Sequence, residues 1–176
     1  MGYLANLIAS TRRGPNDEIA TPDWAVDFLV PYLPPAAILW ESAPGLDNRL
    51  SKRLHYHGFV VKAVAGPSFF EVALQTGLGR SSADWDVQVT HPPYSKKAKW
   101  LAHSNFTGKP WALLLPVTSL ASASCRLELE GCEILFLPRR VDFTGKGRPW
   151  CAVAWFTKGL ALHPAGGRRL TGILGA

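Results

Sequence analysis

The sequence lacks the features of a disulfide-bonded, zinc-binding or membrane-spanning protein. Its cysteines number three, and none forms a CxxC or Cys/His pair with metal-ligand spacing. No apolar run reaches the roughly 18 residues of a spanning helix, and the N-terminus has no long apolar stretch like that of a signal peptide. We therefore expect a cytoplasmic protein with no metal, no membrane partner and three reduced thiols, namely Cys125, Cys132 and Cys151.

Two nucleotide-binding signatures are also missing. Neither GxGxxG nor GxxxxGK[ST] occurs, which disfavours another kind of nucleotide-binding α/β enzyme. With 176 residues, 47% of them hydrophobic, the chain can bury one sizeable core and is too short for two domains of ordinary size. We predict an N-terminal arm at residues 1–20, one domain at 21–165 and a C-terminal tail at 166–176.

Acidic residues are scarce in the second half of the chain. Residues 1–88 carry 7 Lys/Arg and 9 Asp/Glu, a net charge of −2, whereas residues 89–176 carry 12 and 4, a net charge of +8. A basic half favours a polyanionic partner such as nucleic acid. The alternative, a solvated basic surface that serves solubility, fits the charge pattern equally well.

Helical and strand patterns alternate along the chain. Thr21, Pro22 and Asp23 predict a helix start, with Thr21 as the N-cap and an apolar face that continues to Leu33. Two further helices are predicted from Asp47 to His57 and from Ser95 to about Phe106, and another begins at Thr118 or Ser119. The predicted strands are Ala36–Glu41, Phe59–Val61, Asp86–Thr90, Trp111–Leu115, Ile134–Leu137 and Cys151–Phe156.

This alternation predicts an α/β fold with an open, mostly parallel sheet. The last two strands have no helix between them, so we expect them to form an antiparallel hairpin. Ligands of such sheets bind beyond the carboxyl ends of the strands. Two loops meet that condition, one from Glu41 to Asp47 and the other from His91 to Ser95.

Several segments, in this order, resemble those of the S-adenosylmethionine-dependent adenine-N6 methyltransferases, especially the short forms common in phage genomes. The resemblance covers roughly residues 19 to 160. "TPDWAVDFLVPYL" is similar to the leading helix of that family, "WESAPGLDNRL" to its cofactor loop, and "DVQVTHPPYS" to the strand that carries the Asn/Asp-Pro-Pro-Tyr/Phe motif. "GKPWALLLPVTSL", "EILFLPRRVDF" and "RPWCAVAWFTKGL" are similar to the strands that complete the sheet.

The resemblance implies a Rossmann-like class I methyltransferase sheet, S-adenosylmethionine as cofactor, and methylation of the adenine amine in DNA rather than RNA. It places the protein in the host cytoplasm if a phage encodes it, with a partner subunit or a homodimer left open. The implied catalytic residues are His91, Pro92, Pro93 and Tyr94. Cofactor contacts are implied for Thr21, Pro22, Trp24, Glu41, Ser42, Ala43, Gly45 and Asp47. The basic residues expected to hold the nucleic acid are Lys96, Lys97, Lys99, Arg139, Arg140, Lys146 and Arg148.

The motif has a chemical reason. The adenine amine is a poor nucleophile because its lone pair is shared with the ring. In the family, the Asn/Asp side chain and the next backbone carbonyl accept the two amine hydrogens. The prolines stiffen the turn, and the aromatic residue stacks on a base taken out of its helix.

The chain departs from the family pattern at its most informative positions. His91 stands where Asn or Asp is usual, and a neutral imidazole can still accept one hydrogen bond. The acid that usually ends the second strand is missing, since Lys62 is there and no acid follows until Glu71; Ser68 likewise replaces an acid. Asp47 also fits a plain helix cap. A second reading is therefore a catalytically degenerate, methyltransferase-like nucleic-acid-binding or assembly subunit, and cofactor binding would separate the two.

Overall fold

The strands of the protein, seen in a computed structural model, form one seven-stranded sheet in the order β2-β1-β3-β4-β6-β5-β7. The structure describes residues 20–45, 47–63, 84–143, 151–162 and, for the backbone, 167–169. The strands are β1 (Ile38–Glu41), β2 (Val60–Ala63), β3 (Val87–Thr90), β4 (Trp111–Pro116), β5 (Glu133–Phe136), β6 (Val153–Lys158) and β7 (Gly167–Arg169).

Five of the seven strands run in one direction. β2, β1, β3 and β4 pair in parallel. β6 is antiparallel to both β4 and β5, so β5 runs the same way as β4, and β7 is antiparallel to β5. The predicted Rossmann-like α/β class and the antiparallel β5–β6 pair are confirmed. The sequence did not predict β7, which begins within the proposed C-terminal tail.

In the part of the chain that the structure describes, three α-helices lie close to their predicted places and cover the sheet. They are α1 (Asp23–Leu29), α2 (Arg49–Tyr56) and α3 (Lys97–Phe106). Short 3₁₀ segments continue α1 at Val30–Tyr32 and precede α3 at Tyr94–Lys96. Among the described residues, no helix is long and apolar enough to cross a membrane.

Two apolar layers hold the sheet between these helices. Along β3 and β4 every residue is buried, as expected for central strands with both faces covered. One layer joins α1 and α2 to residues such as Leu39, Val89 and Trp155, and the Trp155 indole N–H donates to the Ala25 carbonyl at 2.8 Å. The opposite layer includes Leu101 of α3 with Trp111 of β4. Trp100, Trp111 and Trp155 are all buried.

Two local predictions were wrong. The helix expected after β4 is replaced by 3₁₀ segments at Val117–Ala121 and Leu127–Leu129, because the segment passes through turns at residues 123–126 and has no continuous apolar face. Thr21 is not the N-cap of α1. Pro22 occupies that position without a side-chain cap. The Thr21 hydroxyl is instead hydrogen-bonded to His91.

Candidate active site

The candidate site lies where the order of the parallel strands changes direction. β1 pairs with β2 on one side and β3 on the other, so the connections that follow these strands diverge and leave a crevice at their carboxyl ends. Glu41 is the last residue of β1, and Thr90 is the last residue of β3. The two loops predicted to form the site therefore leave neighbouring strands at the same edge.

Hydrogen bonds tie these two strand ends together. The Ala43 N–H donates to Thr90 Oγ1 at 3.0 Å, and the Gln88 side-chain amide donates to Ser42 Oγ at 2.7 Å. Ser42 is 2% exposed, so its side chain lies under the loop and anchors it to β3. Further along, Gly45 adopts a φ of +63°, and no atom lies within 4 Å of the place a Cβ would occupy. The main chain there borders open space.

Glu41 is a buried carboxyl group at the end of β1. It is 1% exposed, and the Ser51 hydroxyl donates a hydrogen bond to its Oε2. Burial raises the pKa of Glu41 to about 7, while the hydroxyl and backbone N–H of Ser51 oppose that change. Ser51 lies in the first turn of α2, where backbone N–H groups have no partner within the helix. Its N–H and hydroxyl both interact with the Glu41 carboxyl, so Glu41 connects the end of β1 to the start of α2.

His91 is held on several sides. Its Nδ1 lies 3.0 Å from Thr21 Oγ1, and its Nε2 lies 2.9 Å from the Tyr94 hydroxyl. The ring stacks on Phe143, with a centroid separation of 5.2 Å and an interplanar angle of 26°. The imidazole thus joins the start of α1, the end of β3 and the segment after β5, three parts of the chain far apart in sequence.

Tyr94 is turned inward. It is 3% exposed and belongs to the apolar layer beneath α1 and α2. Its hydroxyl meets His91 rather than solvent. In this arrangement the ring has no open face on which a base could stack.

The other residues implied by the resemblance lie at the start of α1 and in the loop between β1 and α2. Thr21 is 3% exposed, while Pro22 and Trp24 are half-buried. The Arg139 guanidinium lies 4.6 Å from the centroid of the Trp24 ring, which brings the segment after β5 to the start of α1. Asp47 is exposed, and its carboxylate accepts from the Arg49 N–H at 3.1 Å. The N-cap position of α2 belongs to Asn48, so Asp47 bonds the first backbone N–H of the helix from the residue before the N-cap.

Basic side chains lie next to the turn at His91. Lys96 and Lys99 are exposed and Lys97 is half-buried, all within the first residues after that turn. Arg139 and Arg140 are also exposed, beyond β5. Lys146 and Arg148 lie outside the described residues, as do Leu46, Ser68 and Glu71.

The carboxyl half of β2 carries a lysine, whereas the methyltransferase family that the sequence resembles usually has an acid there. The Lys62 ammonium donates to the Asp84 carboxylate, and this hydrogen bond lowers the pKa of Asp84. Lys62 is level with Trp40 of β1. Among the described residues 60–63, no carboxylate is available at the end of this strand.

Two features of the site were missed from the sequence. One is Phe143, which the structure stacks on His91. The other is the contact of Thr21 with His91 across 70 residues of chain. A partial signal existed for Phe143, since an aromatic residue soon after a strand that ends at the binding edge can reach the site. Thr21 had a plausible local role as a helix cap, which concealed its distant partner.

Comparison with known proteins gives a fold similarity. No protein-family model matches the chain, and no curated protein matches it. A similar solved structure is the protein-(glutamine-N5) methyltransferase (release factor-specific) from Alicyclobacillus acidocaldarius subsp. acidocaldarius DSM 446, with a TM-score of 0.46 and 17% identity, over 84% of this chain and 98% of that chain. This similarity concerns the fold, and what that enzyme methylates is a property of that enzyme.

Proposed function

We propose that this protein is an S-adenosylmethionine-dependent methyltransferase that methylates the exocyclic amine of adenine in DNA, in preference to RNA. The observation that carries the proposal is the position of the His91-Pro92-Pro93-Tyr94 turn. It directly follows β3, at the crevice edge, beside the loop that leaves β1. The motif that resembles the adenine methyltransferases thus stands where sheets of this kind bind their ligands.

The residues present fit the methionine end of the cofactor better than its ribose. Glu41 provides a carboxyl group beside the β1 loop, and Gly45 leaves the backbone of that loop open to close approach. Thr21 and Pro22 border the same crevice through the contact with His91. At β2, by contrast, Lys62 replaces the expected acid and is already paired with Asp84. Loss of one charged hydrogen bond lowers affinity by about ten- to a hundred-fold.

When bound, the cofactor supplies an electrophilic methyl group on a sulfonium. His91 would accept one hydrogen of the adenine amine through its unprotonated ring nitrogen. The Pro92 carbonyl would accept the other, and Pro92 and Pro93 would keep that carbonyl pointing outward. These acceptors raise the electron density on the amine nitrogen as it attacks. Positioning and a fixed electrostatic environment then supply most of the rate enhancement.

The basic residues that follow the turn would hold the polynucleotide backbone. The first nine residues after Thr90 include Lys96, Lys97 and Lys99, so a strand whose base enters the crevice passes close to them. Arg139 and Arg140 lie between β5 and Phe143, the residue that stacks on His91. Phosphate contacts of this kind position the substrate without reading its sequence.

Cofactor binding is the decisive experiment. Isothermal titration calorimetry with S-adenosylmethionine, and then with its demethylated product, should give dissociation constants in the micromolar range. Mass spectrometry of an adenine-containing oligonucleotide after incubation should then detect one added methyl group per modified adenine. A folded protein that binds neither compound up to millimolar concentration would contradict the proposal.

A second candidate is a subunit that keeps the fold and binds nucleic acid without catalysis. It is favoured by the lysine at β2 and by the engagement of both His91 ring nitrogens within the protein. Binding of an oligonucleotide, with no cofactor binding and no methyl transfer, is the result that would support this candidate.

A further inference from the structure

We propose that Tyr94 is a gate on His91: its hydroxyl occupies the acceptor nitrogen of the imidazole until a target base displaces it. This inference rests on the proposed function and concerns the regulation of the same site. It begins from one contact, the 2.9 Å separation between the Tyr94 hydroxyl and His91 Nε2.

The direction of the hydrogen bonds follows from the chemistry of the three groups. A neutral imidazole has one N–H donor and one acceptor nitrogen, whereas each hydroxyl can donate or accept. A phenolic hydroxyl is more acidic than an aliphatic one and is therefore the better donor. The favoured arrangement has the Tyr94 O–H donating to His91 Nε2, while His91 Nδ1–H donates to Thr21 Oγ1 at 3.0 Å.

This arrangement keeps His91 and Tyr94 from both of their proposed roles. The ring nitrogen that would accept a hydrogen of the adenine amine is occupied by the tyrosine. The ring that would stack on the base is 3% exposed. A single outward rotation of Tyr94 would uncover the acceptor and present the aromatic face together, so the two roles become available in one step.

Thr21 and Phe143 keep the imidazole in place during that step. Thr21 is buried, and its Oγ1 accepts the hydrogen bond from His91 Nδ1–H. This leaves Nε2 as the acceptor nitrogen of the imidazole. Phe143 stacks against one face of the ring. Neither contact involves Tyr94, so both can persist when its ring swings out. Thr21 is therefore a positioning residue that acts through His91.

The test is a Tyr94→Phe protein, which keeps the ring and removes only the hydroxyl. Side-chain ¹⁵N NMR of the free wild-type protein should show His91 with its proton on Nδ1. In Tyr94→Phe the Nε2 resonance should move toward that of a nitrogen without a hydrogen-bond donor. Thr21→Val should shift protonation toward Nε2, because Nδ1–H loses its acceptor. Tyr56→Phe, at a tyrosine that is 75% exposed on α2, is the matched control and should leave His91 unchanged.

Binding provides the second measurement. With the demethylated cofactor product present, Tyr94→Phe should bind a single-stranded DNA oligonucleotide that contains one adenine about three- to ten-fold more tightly than wild type, because the hydrogen bond from residue 94 to His91 no longer has to be broken. Three results would each overturn the gate. They are a wild-type His91 that is protonated on Nε2, a His91 spectrum that is unchanged in Tyr94→Phe, and binding by that variant that is equal to or weaker than wild type. Failure of the wild type to bind the cofactor would count against the proposed function instead, and the NMR comparison decides the hydrogen-bond assignment in either case.

Discussion

Glu41 is the residue at which stability and function are expected to conflict. Its carboxyl is buried, and burial raises its pKa to about 7 from the ordinary value of 4.5. Because the folded protein binds that proton more tightly than the unfolded chain does, this contribution to stability is full below pH 4.5 and is lost as the pH rises through 7. A pKa difference of this size corresponds to about 3 kcal/mol.

Glu41→Gln should therefore become more stable relative to wild type as the pH rises. We expect similar free energies of unfolding at pH 5 and an advantage of about 1–3 kcal/mol for the variant at pH 8, after allowing for a weaker bond to Ser51. Urea denaturation at both pH values measures this. Glu130→Gln, at an exposed carboxylate, should show no such trend, and a difference that stays constant with pH would contradict the prediction. If Glu41 also binds the cofactor, the stabilised variant should bind it more weakly.

His91 is the residue on which the proposed catalysis depends. Loss of one preorganised hydrogen-bonding group at a reacting atom costs about a hundred- to a thousand-fold in rate. We expect His91→Ala to lower kcat by that factor, with cofactor binding retained, when transfer of labelled methyl groups to DNA is measured. His55→Ala is the control, since His55 is exposed on α2 and bonds only the nearby Phe59 carbonyl among the hydrogen bonds described. Unchanged activity in His91→Ala would remove the histidine from the mechanism.

At the scale of elements, a pair of charged groups joins α1 to α2. Arg53 donates two hydrogen bonds to the Asp27 carboxylate, at 2.6 and 2.7 Å, and His57 Nε2 lies 2.7 Å from the same group. The Arg53 hydrogen bond lowers the pKa of Asp27, with a smaller contribution from His57. This contact matters for the site because α1 directly follows Thr21 and Pro22, and α2 carries Ser51, the partner of Glu41.

Asp27→Asn should destabilise the protein modestly. Solvent screens this partly exposed pair, so we expect a loss of about 0.5–1 kcal/mol at pH 7. The pKa of Asp27 is lowered by folding, so this stability is present above the ordinary value of 3.8 and disappears as the pH falls through the lower folded value. Denaturation from pH 7 to pH 3 tests both statements. Asp23→Asn removes a more exposed single contact with Arg49 and should lower the free energy of unfolding by less. An equal or larger loss would contradict the view that the two Arg53–Asp27 hydrogen bonds make this pair the stronger one.

At the scale of the whole molecule, the uneven charge distribution predicts salt-dependent binding. Each phosphate contact to single-stranded nucleic acid contributes about 0.7 to the slope of log K against log salt. Replacing Lys96, Lys97 and Lys99 together by Gln should reduce that slope by about 2, as measured by fluorescence anisotropy of a labelled oligonucleotide between 50 and 300 mM salt. Lys52→Gln, on the exposed side of α2, should leave the slope unchanged, and an unchanged slope in the triple variant would assign these lysines to solubility.

Local order along the chain was largely readable from the sequence. The three α-helices of the described residues and six of the seven strands follow from apolar periodicity, short buried runs and Pro or Gly boundaries, all of which act within about ten residues. The exceptions have local reasons. The segment after β4 has no apolar face long enough for an α-helix, and β7 is three residues long, too short to give a pattern.

The sequence by itself determined that the chain forms an α/β sheet, that Glu41 and the His91 turn follow strands, and that the second half is basic. Only the tertiary structure decided what these groups touch. Thr21, Tyr94 and Phe143 all contact His91, and Glu41 meets Ser51, because the sheet brings strand ends and helix starts to one edge. Burial then decides which hydrogen bonds form there, since a polar side chain removed from water must find a partner within the protein. Periodicity reports which face of an element is buried, and it carries no information about partners that lie 50 to 70 residues away.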